Sequence, residues 1–254
     1  NVTASHNPPE YNGYKVYWED GAQITPPHDT GIMDEVKAVT DYATVKTMPK
    51  EEAVKAGLYE NIGATIDDRY MEELKKNVLH PQCIKEVEKD LRIVYTPLHG
   101  TGNIPVRRVL KELGFTNVFV VPEQELPDGE FPTVSYPNPE AAEAFELALK
   151  LAKEKDADLV LATDPDADRL GVYVKDTKSG EYICLTGNMS GSFLAEYEIG
   201  QKKALEGSLP EDGELIKTIV TTNLVDAMAK YYGIKVTECL TGFKWIGREI
   251  LRME

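Results

Sequence analysis

Asp158-Leu159-Val160-Leu161-Ala162-Thr163-Asp164-Pro165-Asp166-Ala167-Asp168-Arg169 joins an apolar run of strand length to three carboxylates at i, i+2 and i+4. Residues 158–162 read as a β-strand, and the loop that follows leaves its carboxyl end, where α/β folds place their ligands. If that loop curls, the three side chains can meet on one hard cation, and oxygen-only ligation selects Mg²⁺, Ca²⁺ or Mn²⁺ over zinc. A calcium EF-hand needs Gly at the sixth loop position and Glu at the twelfth; Arg169 and Lys175 stand there, and no helix precedes the loop. A solvated acidic turn is the plainer alternative. Three anions within five residues repel each other, however, and one arginine relieves that repulsion less well than a divalent ion does.

Strand and helix patterns alternate around this stretch. Leu91 to Tyr95 reads as a strand, followed by the loop Thr96-Pro97-Leu98-His99-Gly100-Thr101-Gly102 and a helix with Val106, Val109, Leu110 and Leu113 on one face, ended by Gly114. Asn117 to Val121 is the next strand, residues 122–139 are a Pro-rich loop, and Ala141, Phe145, Ala148, Leu149 and Ala152 mark one amphipathic helix. Strands at 170–174 and 181–185, a helix at 189–205, a strand at 215–221, a helix at 224–232 and a strand at 234–238 complete the pattern. The fold class is α/β with a mixed, largely parallel sheet. Before it, Asn12-Gly13 and Asp20-Gly21 flank β-rich residues and predict a hairpin over 13–25, whereas 32–77 is acidic and mostly helical.

The 254 residues carry 28 Lys plus Arg against 43 Asp plus Glu, a formal net charge of −15. With 42% hydrophobic residues and a mean hydropathy of −0.35, this is an ordinary globular composition. No stretch approaches the roughly 18–20 apolar residues of a membrane helix, and the acidic balance disfavours nucleic acid and anionic lipid as partners. Cys83, Cys184 and Cys239 are odd in number and widely spaced, which argues against a disulfide framework and for a reducing, cytoplasmic setting. Each is expected to be a small buried hydrophobe. The chain opens on Asn1, directly before a loop motif, and reads as a piece of something longer.

That opening motif is Thr3-Ala4-Ser5-His6-Asn7-Pro8-Pro9. A serine among small residues in a loop halted by prolines suits a nucleophile or phosphate carrier, and it equally suits a plain turn. His6 is not expected to pair with Ser5, because neighbouring side chains seldom face one another. Taken in order and spacing, T-A-S-H-N-P (3–8), N-G-Y-K (12–15), D-P-D-A-D-R (164–169) and T-G-F-K-W-I-G (241–247) resemble the α-D-phosphohexomutases, with a lean towards their bacterial phosphoglucomutase branch.

The resemblance implies three-layer α/β domains: the end of a first domain over 1–65 with the phosphoserine loop, a whole second domain over 66–187 with the metal loop, and the start of a third over 188–254 with a sugar-recognition loop. It implies that Ser5 carries the exchanged phosphoryl group, with His6 and Lys15 as further catalytic groups. Asp164, Asp166 and Asp168 would hold one Mg²⁺ together with Ser5. Arg169, Thr241, Gly242, Phe243 and Lys244 would bind substrate, a sugar phosphate, with a glucose 1,6-bisphosphate-type activator. A lysine acts as a base only where burial or nearby cations depress its pKa, and Lys15 is expected in such a pocket. The reaction implied is isomerisation between hexose 1-phosphate and 6-phosphate, a step of glucose metabolism. A phosphomannomutase or phosphopentomutase of the same family is the near alternative. The pattern departs in lacking most of a first domain, part of the third and all of the fourth, so the isolated chain is expected to bind Mg²⁺ weakly and to turn over nothing, with apolar interfaces left exposed. Two other readings compete: a haloacid-dehalogenase-type phosphatase with Asp164 as nucleophile and Asp166 as acid/base, and a non-catalytic binding module. No oligomeric state is implied.

Overall fold

A computed structural model describes residues 1–253. Its centre is a five-stranded sheet of β1 (Arg92–Thr96), β2 (Asn117–Val120), β3 (Leu159–Thr163), β4 (Leu170–Lys175) and β5 (Tyr182–Leu185), in the order β2-β1-β3-β4-β5. β1 runs parallel to both β2 and β3, while β4 and β5 close the sheet as an antiparallel meander. The chain leaves β1 through helix α5 (Asn103–Leu113) towards β2, then returns through α6 (Glu146–Lys155) to the other side of β1. The direction of winding therefore reverses between β1 and β3, and the loops after these two strands border one crevice.

The core lies under α6, where Val94, Val160 and Ala162 from the sheet meet Phe145, Ala148 and Ala152. The helix expected over 141–152 is in fact split. A 3-10 turn, Ala142–Phe145, precedes α6 and delivers Phe145 into the core, 4.6 Å from the Tyr173 ring. That placement depends on Gly171 of β4: a Cβ there would stand 2.3 Å from the Pro139 carbonyl oxygen and 2.8 Å from the Phe145 ring.

After the sheet, α7 (Gly187–Glu206) starts at Thr186, whose hydroxyl accepts from the Met189 N–H at 3.3 Å. β6 (Glu214–Thr218) and β7 (Lys235–Cys239) are parallel and joined by α8 (Leu224–Tyr232), with α9 (Phe243–Met253) beyond. β6 is shorter than expected because the chain turns at its end, the Thr221 N–H donating to the Thr218 carbonyl. Helices α1 (His28–Ala38), α2 (Lys50–Lys55), α3 (Gly63–Lys76) and α4 (Pro81–Val87) precede the sheet. None of the described helices is long and apolar enough to cross a membrane.

Among residues 1–65 only Ile24 is buried, so this segment packs no core of its own. The hairpin expected over 13–25 is present in short form over 16–24, where the Trp18 N–H donates to Ala22, the Ile24 N–H to Val16, and Tyr17 bridges Gln23. Residues 13–15 pair instead with the chain start: the Thr3 N–H donates to Gly13 and the Lys15 N–H to Asn1. Large apolar side chains are exposed, among them Tyr42 at 85%, Leu58 at 72%, Tyr231 at 80% and Phe243 at 70%. The cysteines depart from their expected burial: all three are free, but Cys83 and Cys184 are exposed and only Cys239 is buried.

Substituting Gly171→Ala forces Phe145 or the 139 backbone to move, an overpacking that costs about 1–3 kcal/mol. Urea unfolding of the variant should show a lower midpoint with an unchanged m-value.

Candidate active site

The acidic loop curls as its chemistry requires. Ala167 adopts a left-handed backbone (φ 59°), its N–H donates to the Asp164 carbonyl at 2.9 Å, and the Arg169 N–H donates to Asp164 Oδ1 at 3.0 Å. One carboxylate oxygen from each of Asp164, Asp166 and Asp168 then lies within 4.8 Å of the others. Asp164 is fully buried at the end of β3. Asp166 Oδ1 is also buried and has no hydrogen-bond partner. An anionic oxygen without a donor, set among two further carboxylates, is the environment a hard divalent cation relieves, so the residues fit Mg²⁺.

The serine loop lies against this cluster. Ser5 Oγ donates to Asp164 Oδ2 at 3.0 Å. Its backbone is left-handed (φ 56°), which breaks the usual alternation of side chains and brings His6 Nδ1 to 3.1 Å from the same hydroxyl. The expectation that neighbouring residues do not face one another fails here for that reason. Thr3, given no role in the sequence reading, accepts the Ser5 N–H at 2.9 Å and donates to Asp166 Oδ2 at 3.1 Å, so one hydroxyl joins the two loops. Its place two residues before the serine was the only signal.

Lys15 is brought in by the pairing of 13–15 with the chain start. Its Nζ lies 3.1 Å from Asp166 Oδ2 and 3.5 Å from Asp168 Oδ2. The expectation of a cationic pocket is thereby corrected. Burial acts to lower the Lys15 pKa, but hydrogen bonding to Asp166 and the charges of both aspartates outweigh it, and the net shift is upward. His6 moves the other way: burial first, then the charge of Arg169, lowers its pKa, leaving the imidazole neutral at pH 7. Burial, reinforced by the neighbouring Asp166, pushes the Asp164 carboxyl up to about 7. Burial also opposes ionisation of Asp166, but Lys15, Asp164 and Thr3 hold its pKa down.

The remaining candidates contribute no side-chain hydrogen bond to this network among the described residues. Arg169 is exposed beside the acidic loop. Thr241 and Gly242 follow β7, and Phe243 and Lys244 open α9, whose Gly247 lies close against Ala22. Lys244 Nζ is 3.7 Å from Asp29 Oδ2 and 4.8 Å from the centre of the Trp245 ring. Among the described residues, no hydrogen bond or ion pair joins these four to Ser5 or to the aspartates.

The Asp164 shift sets a pH dependence. Its folded pKa lies above the ordinary value of 3.8, so the unfolded chain loses this proton first, and stability without metal falls as pH rises from about 4 to about 7. Calorimetry of Asp164→Asn should therefore show the melting-temperature difference, variant minus wild type, moving in the variant's favour across that window. Added Mg²⁺ should raise the melting temperature of the wild type at pH 8 and leave that of the variant unchanged.

Comparison with known proteins follows the same lines. Residues 1–43, 68–180 and 186–254 match the family descriptions "Phosphoglucomutase/phosphomannomutase, alpha/beta/alpha domain" I, II and III respectively. The chain is 38% identical to the phosphoribomutase of Saccharomyces cerevisiae, covering 100% of this chain and 42% of that protein. It is 38% identical to human phosphopentomutase (97% and 40%) and 34% identical to Staphylococcus aureus phosphoglucomutase (100% and 44%). The chain thus spans less than half the length of these relatives. In fold it matches the crystal structure of a phosphoglucomutase/phosphomannomutase family protein from Burkholderia thailandensis, with TM-score 0.66 and 23% identity over 99% of this chain and 47% of that one. The chain belongs to the phosphoglucomutase/phosphomannomutase family, the α-D-phosphohexomutases.

Proposed function

We propose that this chain carries the phosphoryl-transfer centre of a sugar-phosphate mutase, with Ser5 as the residue that accepts and returns the phosphoryl group. The observation that carries this reading is the contact of Ser5 Oγ with Asp164, 3.0 Å, inside a three-carboxylate cluster that fits Mg²⁺. In the forward step the bond from phosphorus to Ser5 Oγ breaks as a bond to a free sugar hydroxyl forms, the hydroxyl proton passing to solvent and the seryl oxygen regaining one through His6, which gives a sugar bisphosphate. Returning the other phosphate to Ser5 completes an exchange between the 1-phosphate and the 6-phosphate of a hexose.

The residues divide that work. Neutral His6, in contact with the seryl oxygen, takes its proton when Ser5 is phosphorylated and returns it when Ser5 leaves. Lys15 provides fixed positive charge beside the transferring group, and Arg169 adds a second cation at the loop's exposed edge. Asp164, Asp166, Asp168 and Ser5 would hold Mg²⁺, which would neutralise charge on the phosphoryl oxygens. Thr241, Gly242, Phe243 and Lys244 are assigned to sugar recognition. The same assignment divides the chain into the end of a first domain (1–65), a second (66–187) and the start of a third (188–254).

A phosphatase using Asp164 as nucleophile is disfavoured. That carboxylate is fully buried and already accepts from Ser5 and the Arg169 N–H. For the sugar, a pentose phosphate is a second reading, because the relatives named phosphoribomutase and phosphopentomutase are 38% identical and the phosphoglucomutase 34%.

Incubating the chain with ³²P-labelled glucose 1,6-bisphosphate and Mg²⁺ should place acid-stable phosphate on Ser5 and none on Ser5→Ala. Acyl phosphate on Asp164, or label surviving Ser5→Ala, overturns the assignment. Competition between unlabelled glucose 1,6-bisphosphate and ribose 1,5-bisphosphate separates hexose from pentose. Lys15→Met should slow labelling by about a hundredfold, the loss of one preorganised charge at the transferring group.

A further inference from the structure

The loop Thr96-Pro97-Leu98-His99-Gly100-Thr101-Gly102 has no task in the proposed reaction, yet it packs on the acidic loop, coming close to Ala167 at Gly102 and hydrogen-bonding at Pro165. Pro165 sits between the ligands Asp164 and Asp166. The Pro165 carbonyl accepts two hydrogen bonds from Thr101, from the N–H at 2.8 Å and from Oγ1 at 2.9 Å. Gly100 lies flush on the same residue, where a Cβ would stand 2.4 Å from Pro165 Cα and 2.7 Å from its oxygen. Just below, Tyr95 OH and Thr163 Oγ1 are 2.8 Å apart and tie the ends of β1 and β3 together.

A peptide unit is planar, so holding the carbonyl of residue 165 also fixes the N–H and the Cα of Asp166. The direction of the Asp166 side chain is thereby set from outside its own loop. The acidic loop needs such a hold. Ala167 is non-glycine in the left-handed region, which costs about 1–2 kcal/mol, and the three carboxylates repel each other. Without an external tie, a more open loop with its carboxylates spread apart is the relaxed alternative.

We propose that Thr101 is a positioning residue for the metal loop. By gripping the Pro165 carbonyl it keeps the Asp166 carboxylate close to Asp164, and so favours Mg²⁺ over Ca²⁺. Mg²⁺ demands near-octahedral geometry at about 2.1 Å, whereas Ca²⁺ accepts longer and more irregular contacts, so loosening the loop penalises Mg²⁺ more. The inference rests on the metal site of the proposed function.

The test is calorimetric titration of the chain with MgCl₂ and, separately, CaCl₂. Thr101→Val keeps the shape and the backbone N–H bond but removes the hydroxyl, Thr101→Ala removes the bulk as well, and Thr101→Ser restores the hydroxyl. Melting of the metal-free variants confirms the fold, and either Val or Ala serves if the other fails to fold. The expected result is a Mg²⁺ affinity lowered by about threefold or more, in line with the loss of one hydrogen bond, with a smaller loss for Ca²⁺ and with Thr101→Ser close to wild type. A smaller loss for Mg²⁺, equal losses for the two cations, or no recovery in Thr101→Ser overturns the proposal. Absence of Mg²⁺ binding by the wild type overturns the metal site itself, and is distinguishable because it does not involve the variants.

Discussion

Residues 1–65 bury only Ile24, so the serine loop is not held in place by a core around it. It is held by one acidic loop. Ser5 bonds to Asp164, Thr3 to Asp166, and Lys15 lies between Asp166 and Asp168. The same three carboxylates that could hold a cation therefore anchor the residue proposed to carry phosphate. Binding and docking share one set of charges, and a change in the charge of that cluster acts on both.

The sharing explains the opposed shifts within the cluster. Three carboxylates cannot all stay ionised at close range without compensation, and Lys15 gives that compensation to Asp166 and Asp168 but not to Asp164. Asp164, fully buried with only neutral donors around it, is the one pushed up to about 7. Lys15 and a divalent cation thus answer the same need.

The sheet topology supplies the frame. Because the winding reverses between β1 and β3, the loops that follow these strands end side by side, and the tight contact of Gly100 and Thr101 with Pro165 is possible only there. The antiparallel half, β4 and β5, takes no part in the site directly. It completes the core through Tyr173 and through Gly171, which makes room for Phe145.

The sequence by itself determined the strand before the acidic loop, the run of three carboxylates at i, i+2 and i+4, the helix stop at Gly114, and the family. The first three depend on residues near in sequence, where apolar periodicity, carboxylate spacing and turn residues act locally, and the family on four motifs taken in order. Only the tertiary structure decided the rest. The contact of Ser5 with His6 needed a left-handed backbone that no spacing rule announces. The split at Phe145 came from a core position opposite Gly171, and the exposure of Cys83 and Cys184 from which faces the packing left open. The charge around Lys15 was decided by partners more than 150 positions away. Electrostatic environment is a sum over neighbours in space, and those neighbours exist only once distant segments have been brought together.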